Sequence, residues 1–523
     1  MDQEQYFAFV QDIEQRFPVA GWNSHGVPVW PIVRIAARSE TLGVANPEAV
    51  PSFRTVRMRK KLERALSYAL SPIRDPLRNL GDWDHEVLLP HAVDALFLGD
   101  GVSLDCIEGV WRDRYCAPIM EALETGGHTS LLMQPTASQR LPRGQATLCV
   151  NWIDRWGRLL ANALPASKPD LPGHGDLLRF LKERGLELDV FQDRALESSG
   201  ARVAAMARLF DFLLARARPK IVFIVNYYHE IGYALCLACR RRGILSVDIQ
   251  HGGQNGNHEA YNRWLSMPPE GYSVLPGLFW NWDKEDTVGI DNWVKTLSRP
   301  WHRSLWAGHP QLAPWLDDSS QQARHYDSEI ARIGADSPGT FDILVALQDL
   351  DGFLGNWNSL ADFIAASPPH WRWWLRRHPS PAYNSGSSLK KILSIERPGI
   401  FVEEASTLPL PALLRNVDAV ITMMSSTAFE AQSFGHRTIL LTEYARALWP
   451  QLVTSGKAEI IVDMALLQTR LQQLEAGREQ EQSGPAAAPP LAETLSTLLR
   501  LAGEYKEMVG IPLNRPDGAT PIS

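Results

Sequence analysis

The sequence predicts an α/β protein made of two Rossmann-like domains, each a parallel sheet wrapped by helices, facing one another across a cleft. Three observations lead there. Short apolar runs alternate with helical patterns on both sides of one break, which is the rhythm of βαβ units. The chain has 523 residues, 45% of them hydrophobic, too many for one ordinary core, so two or three domains are expected. The chemically suggestive residues follow directly on the apolar runs, where parallel sheets bind their ligands.

Residues 1–88 read as an N-terminal helical appendage. Its opening, MDQEQYFAFVQDIEQRF, carries too many acids for a secretory signal, and no later segment approaches eighteen apolar residues. A cytoplasmic protein is expected, soluble or peripheral at the inner face of the membrane. The turn-rich, extended stretch Trp22 to Pro31 is expected to anchor the appendage. The net charge of −7 gives no whole-protein attraction to nucleic acid, so none is expected as a partner. Locally the run from Arg54 to Arg64 is strongly basic; such a run is usually a solvated helix face, with contact to an anionic membrane surface as the minority reading.

The first sheet domain is placed at 89–300. Its strands are His91 to Leu98, Thr129 to Met133, Lys220 to Val225 and Ile244 to Ile249, with helices over Ile107 to Leu123, Leu196 to Ala217 and 229–242. Five cysteines are an odd, sparse set, which suits a reducing compartment better than a disulfide framework. Cys236 and Cys239 have metal-ligand spacing but no second pair, so they read as buried small side chains on a helix. From Asp283 to Pro338 the chain is rich in Trp, Pro, Asp and Ser and suits a connector, placed at 301–338. The second sheet domain, 339–475, has short strands at Phe341 to Leu347, Trp371 to Leu375, Ile400 to Val402, Ala419 to Thr422, Thr438 to Leu441 and Glu459 to Val462. Residues 476–523 hold a linker, within Glu475 to Pro490, and a final helix.

Two constellations in the second domain point to phosphate. The strand DAVIT runs into Ser425, Ser426 and Thr427, which open a helix, so hydroxyls and free backbone N–H groups converge. Arg376, Arg377, His378 and Pro379 follow another strand; Pro379 forces His378 into extended backbone, and an Arg pair with a His suits a phosphate or pyrophosphate. Glu430 lies three residues after Thr427, in capping-box spacing; closing the helix and bonding a ribose hydroxyl are equally weighted roles.

In the first domain Gln250, His251, Gly252 and Gly253 follow the strand ILSVDI. The glycines permit close ligand approach, and His251 brings an imidazole that titrates near neutral pH. His229 and Glu230 follow the neighbouring strand, with helix capping by Asn226 and dipole compensation by Glu230 as the competing roles. Most of the eighteen tryptophans are expected in the core. Trp373 and Trp374 are adjacent on a strand, so they must face opposite sides.

Taken together, the paired halves, the opening LVALQ at 344–348, the RRHP, the SSTAFEAQSFG after DAVIT and the QHGG resemble GT-B glycosyltransferases of bacterial surface-polysaccharide assembly. The closest likeness is to Kdo-, sialyl- and teichoic-type glycerophosphate-transferring enzymes of capsule and lipopolysaccharide or teichoic-acid biosynthesis. The resemblance spans about 90–470 and implies a nucleotide sugar as donor substrate, no further cofactor, and a glycan or glycolipid acceptor. It implies that His378, Ser425, Ser426 and Thr427 meet the donor phosphate, that Glu430 touches the ribose, and that the QHGG turn faces acceptor or sugar. The acidic motif of the sialyltransferase-like groups has no clear counterpart, so the nucleotide stays open.

Glycosyl transfer builds negative charge on the departing phosphate, and Arg377, His378 and the 425–427 turn would meet it; no DxD-type metal pair stands out. An inverting reaction needs a base, for which His251 is favoured over Glu230 and His229. A retaining enzyme would call on Glu230 or Asp248 instead. The alternatives are a teichoic-type glycerophosphate transferase, a sugar-nucleotide epimerase, or a non-catalytic glycan-binding component of an assembly complex.

Overall fold

The computed structural model describes residues 3–42, 91–135, 147–165, 167–254, 258–335, 337, 339–348, 357–378, 387–477 and 488–509. The basic run at 54–64, Pro379 and most of the 475–490 linker lie outside the described residues. The chain divides into two compact units, Met1–Gly101 with Arg112–Gly308 and Pro489–Ser523, and Val102–Trp111 with His309–Ala488.

The first unit opens with a helix (Gln3–Arg16), a ribbon of β1 (Asn23–Ser24) and β2 (Val27–Pro28), and a second helix (Trp30–Leu42). These residues are part of the core rather than an appendage. Tyr6, Phe7, Val10 and Ile13 form one apolar stripe at helical spacing, and they are buried in the same cluster as Leu96, Leu131 and Val222 of the sheet. Arg34 is fully buried; its guanidinium donates to the carbonyls of Asn262 and Arg263 at 2.9 and 3.0 Å and lies 4.0 Å from the Trp264 ring. A buried charge needs such partners, and they tie the N-terminal helices to the distant segment around residues 262–264.

The sheet begins with β3 (Ala95–Leu98). A two-stranded ribbon, β4 (Leu104–Ile107) and β5 (Val110–Asp113), comes next, so the helix expected from Ile107 starts only at Cys116. Glu108 and Gly109 take positive φ, 50° and 80°, which turns the chain back on itself. The Asp113 carboxylate then accepts from the backbone N–H of Tyr115 and Cys116 and starts the helix there. Strands β6 (Ser130–Gln134), β7 (Thr147–Cys149), β8 (Ile221–Val225), β9 (Leu245–Ile249), β10 (Leu278–Asn281) and β11 (Arg303–Trp306) complete a seven-stranded sheet. Its order is β11-β10-β9-β8-β3-β6-β7, and the pairs are parallel.

The stretch read as a connector is therefore largely structured. It holds the helix Lys284–Val294, the edge strand β11, and the helices Ala313–Leu316 and Gln321–Ala335. Its prolines and aspartates mark the junctions between elements, while Ile290, Trp293 and Trp315 are buried. The helix Leu491–Met508 belongs to the first unit and buries Leu498, Ala502 and Tyr505.

The second unit contains β12 (Phe341–Ala346), β13 (Trp371–Arg376), β14 (Ile400–Phe401), β15 (Ala419–Thr422), β16 (Thr438–Leu440) and β17 (Ala458–Ile460). They form a parallel sheet in the order β14-β13-β12-β15-β16-β17. Trp373 and Trp374 are both wholly buried on opposite faces, Trp373 among Ile343 and Ile421, Trp374 among Leu344 and Val420.

Both sheets are doubly wound. The unit's first strand sits between its second and its fourth: β3 between β6 and β8, β12 between β13 and β15. Where the winding reverses, the connections leave to opposite faces and open a crevice at the carboxyl ends of the strands. This places one crevice beside Gly99 and Asn226 in the first unit, and another beside Leu347 and Met423 in the second.

Candidate functional site

In the second unit Ala346 stands in register with both Arg376 and Thr422, so β12, β13 and β15 end level. The RRH segment and the Ser-Ser-Thr turn thus leave the same edge on either side of Leu347 and Gln348, roughly 10 Å apart by two strand spacings. Thr422 holds the turn. Its buried hydroxyl donates to the Ala346 carbonyl at 2.9 Å and accepts the Ser425 N–H at 3.3 Å. The Ser425 and Thr427 hydroxyls meet at 2.9 Å, and Ser425 Oγ accepts the Thr427 N–H at 3.2 Å.

The two arginines have different surroundings. Arg376 donates to the carbonyls of Ala405 and Leu408 at 2.6 and 2.5 Å and so closes the helix Glu403–Thr407. Arg377 is partly exposed; its guanidinium lies 2.7 Å from the exposed Glu403 carboxylate and its backbone N–H donates to Ser406. His378 is partly exposed beside it. The helix after β15 runs Thr427–Gln432 with Ser426 at its N-cap, so Glu430 falls one position beyond the reciprocal place of a capping box. It is buried, 1% exposed, behind the turn.

In the first unit the QHGG turn follows β9. Gln250 is wholly buried: its amide N–H groups go to Gly252 O and Asp286 Oδ2 at 2.9 and 2.7 Å, and its carbonyl accepts the Trp282 N–H at 2.6 Å. It braces Gly252 from inside; Gly253 is the next residue of the turn, partly exposed. His251 is partly exposed, with Nδ1 3.3 Å from Ile249 O and Nε2 3.1 Å from the Tyr228 hydroxyl. The Tyr115 hydroxyl donates to the His251 carbonyl at 3.1 Å.

The two other candidate bases are engaged. His229, not Asn226, caps the helix Glu230–Arg242, its Nδ1 accepting the Gly232 N–H at 3.2 Å; desolvation pushes its pKa down to about 4. Glu230 pairs with Arg202 at 2.6 Å. Asp248 accepts from Tyr261 Oη at 3.0 Å, Tyr227 N and Gln254 Nε2; burial lifts its carboxyl to about 8. Cys236 and Cys239 are buried on the same helix, where desolvation pushes both thiols up.

Two glycines let chain segments meet at this edge. A Cβ on Gly232 would fall 2.3 Å from the Tyr227 carbonyl oxygen, so only glycine lets the helix pass this close to the turn bearing Tyr228. A Cβ on Gly99 would fall 2.4 Å from Asp113 Oδ2 and 2.0 Å from Gln134 Oε1, three buried groups at the end of β3. Burial lifts the Asp113 carboxyl to about 7. Sequence reasoning passed over Tyr115, Tyr228 and Thr422; the signal available for Tyr228 and Thr422 was their place at or just beyond the end of a buried strand.

No family model matches the chain, and no curated protein matches it. Among solved structures, the UDP-GlcNAc 2-epimerase from Neisseria meningitidis bound to UDP-GlcNAc is 14% identical, with 78% of this chain and 99% of that chain covered and a TM-score of 0.46. The UDP complex of S. aureus MnaA is 12% identical over 79% and 96%, with a TM-score of 0.48. The wall teichoic acid polymerase TagF is 11% identical over 87% and 99%, with a TM-score of 0.43. Likeness at this level assigns no activity to the chain.

Proposed function

We propose that the chain is a GT-B-type glycosyltransferase that moves a sugar from a nucleotide-activated donor to a growing bacterial surface glycan or glycolipid. The observation that carries the reading is the switch point of the second sheet, where the segment bearing Arg377 and His378 and the turn bearing the Ser425–Thr427 hydroxyls leave the level ends of β13 and β15 on either side of β12. A phosphate there would receive a charge-assisted bond from Arg377, a bond from His378 and two or three hydroxyl or backbone donors. These groups strengthen as negative charge builds on the leaving phosphate. Glu430, on the helix behind the turn, is assigned to the ribose, and Arg376 to shaping the edge. In the first unit His251 is assigned as the base on the acceptor hydroxyl.

The test is stabilisation by nucleotide. A ligand bound only by the native state raises stability by about 2.7 kcal/mol at a hundred times its dissociation constant. One of CMP, UDP, GDP or dTDP should raise the melting temperature of the purified protein by several degrees, and His378→Ala should abolish the rise. A flat response to all four, or an undiminished response in His378→Ala, overturns the reading.

A further inference from the structure

The geometry around His251 points to a second reacting group, and it rests on the glycosyl-transfer reading above. A backbone carbonyl only accepts, so the contact between Nδ1 and Ile249 O places the proton of the neutral ring on Nδ1. Nε2 is then the basic nitrogen, and it accepts from the Tyr228 hydroxyl at 3.1 Å. The lone pair that a base would use therefore already points at a phenol.

That phenol is held in place. Tyr228 stacks on His251 with ring centroids 5.8 Å apart and planes 28° apart, and it packs against His258 at 5.1 Å, Tyr227 at 5.7 Å and Tyr261 at 5.8 Å. The Tyr115 hydroxyl fixes the His251 backbone from the other side. Tyr228 and His251 are both partly exposed. Tyr228 lies three residues past the end of β8, beside the winding reversal between β8 and β3 where a doubly wound sheet binds its ligand.

We propose that Tyr228 is a catalytic residue that relays the acceptor's proton to His251. As the acceptor oxygen bonds to the anomeric carbon, the bond from that carbon to the nucleotide phosphate breaks and its electron pair leaves with the phosphate. The acceptor proton passes to Tyr228 Oη while the Tyr228 proton passes to His251 Nε2. The tyrosine is regenerated, and His251 carries the net proton.

The experiment uses the full chain and four probes: CMP-N-acetylneuraminate, UDP-N-acetylglucosamine, GDP-mannose and dTDP-rhamnose. Nucleotide release is followed in wild type, Tyr228→Phe, His251→Ala and the double variant, with the 15N resonances of the His251 ring recorded in parallel. The relay predicts that Tyr228→Phe slows release roughly 100-fold, as removal of general-base assistance does, and that the double variant is no slower than the slower single. It also predicts that the Nε2 resonance of Tyr228→Phe moves toward that of an unbonded imidazole nitrogen. Release by Tyr228→Phe within twofold of wild type overturns the relay and leaves the transferase reading standing. Absence of release by wild type from all four probes, with the Nε2 shift still seen, overturns the transferase reading and the catalytic part of the relay with it. If Tyr228→Phe fails to fold, the wild-type rate in H2O–D2O mixtures decides: two protons in flight give a curved dependence on deuterium fraction, and a straight line overturns the relay.

Discussion

Replacing Thr422 by Val tests how the phosphate-side turn is held. The two side chains have nearly the same shape, so packing at the end of β15 is kept and the hydroxyl alone is lost. That hydroxyl makes two bonds, 2.9 Å to Ala346 O and 3.3 Å from Ser425 N, in a site with no exposure to solvent. The first is short and joins β12 to β15 at the winding reversal; the second is long and contributes less. Leaving a buried polar group without its partner costs about 1–3 kcal/mol. For a unit of about 150–250 residues each kcal/mol moves the melting temperature about 2–4 °C, so the variant should melt about 2–12 °C lower. Calorimetry on the whole chain is the assay, since two units can give two transitions and only one should move. Thr422→Ser keeps the hydroxyl and loses a methyl. It should retain the response to the stabilising nucleotide, whereas Thr422→Val should lose most of it, because the Ser425 N–H is no longer anchored. Equal melting of Thr422→Val and wild type, together with equal nucleotide responses, would refute the reasoning.

Two further outcomes follow from the first unit. Asp248 keeps its proton up to about pH 8 in the folded state, whereas an exposed aspartate loses it near 3.8, so the folded state binds more protons in between and stability falls as pH rises through that window. Asp248→Asn should therefore cost little at pH 5 and gain on wild type by pH 8; thermal melts at the two pH values check this, and a larger deficit at pH 8 contradicts it. Gly232→Ala forces a methyl to within 2.3 Å of the Tyr227 backbone, which must shift, at a cost of about 1–3 kcal/mol. Its denaturant midpoint should fall accordingly, and the His251 ring resonances should change because Tyr228 moves with Tyr227.

The βαβ rhythm was legible because each sheet strand is buried on both faces and reads as an uninterrupted apolar run; Ile221–Val225 and Phe341–Ala346 are examples without a single exposed residue. The ribbon at Leu104–Asp113 was not, since Val110 and Trp111 fit a helical pattern and only the backbone sign at Glu108 and Gly109 shows the reversal. The strand β11 was hidden for a different reason. Ser304, Leu305 and Trp306 are an edge strand, half-buried, and carry no continuous apolar signal. The N-terminal helices were set apart because their partner, the stretch around Asn262 and Trp264, lies far along the chain, and no local pattern records a contact between Arg34 and Asn262.

Residue type alone also overstated how many polar side chains at the two edges are available to a ligand. Gln250, Arg376, His229 and Glu230 all end or follow strands and all bear suitable chemistry, yet their groups are bonded within the protein, to Asp286 and Trp282, to two helix-terminal carbonyls, to Gly232 and to Arg202. A donor already bonded inside can serve a ligand only by breaking that bond, and each such exchange returns little net free energy. Arg377, His378, Ser426 and His251 are partly exposed edge residues with suitable chemistry. The first three stand on the second unit and match an anion; the last stands on the first unit and matches a proton. A two-substrate transfer sets two tasks, charge stabilisation for one substrate and proton removal for the other, and the proposed roles divide between the two units in that way.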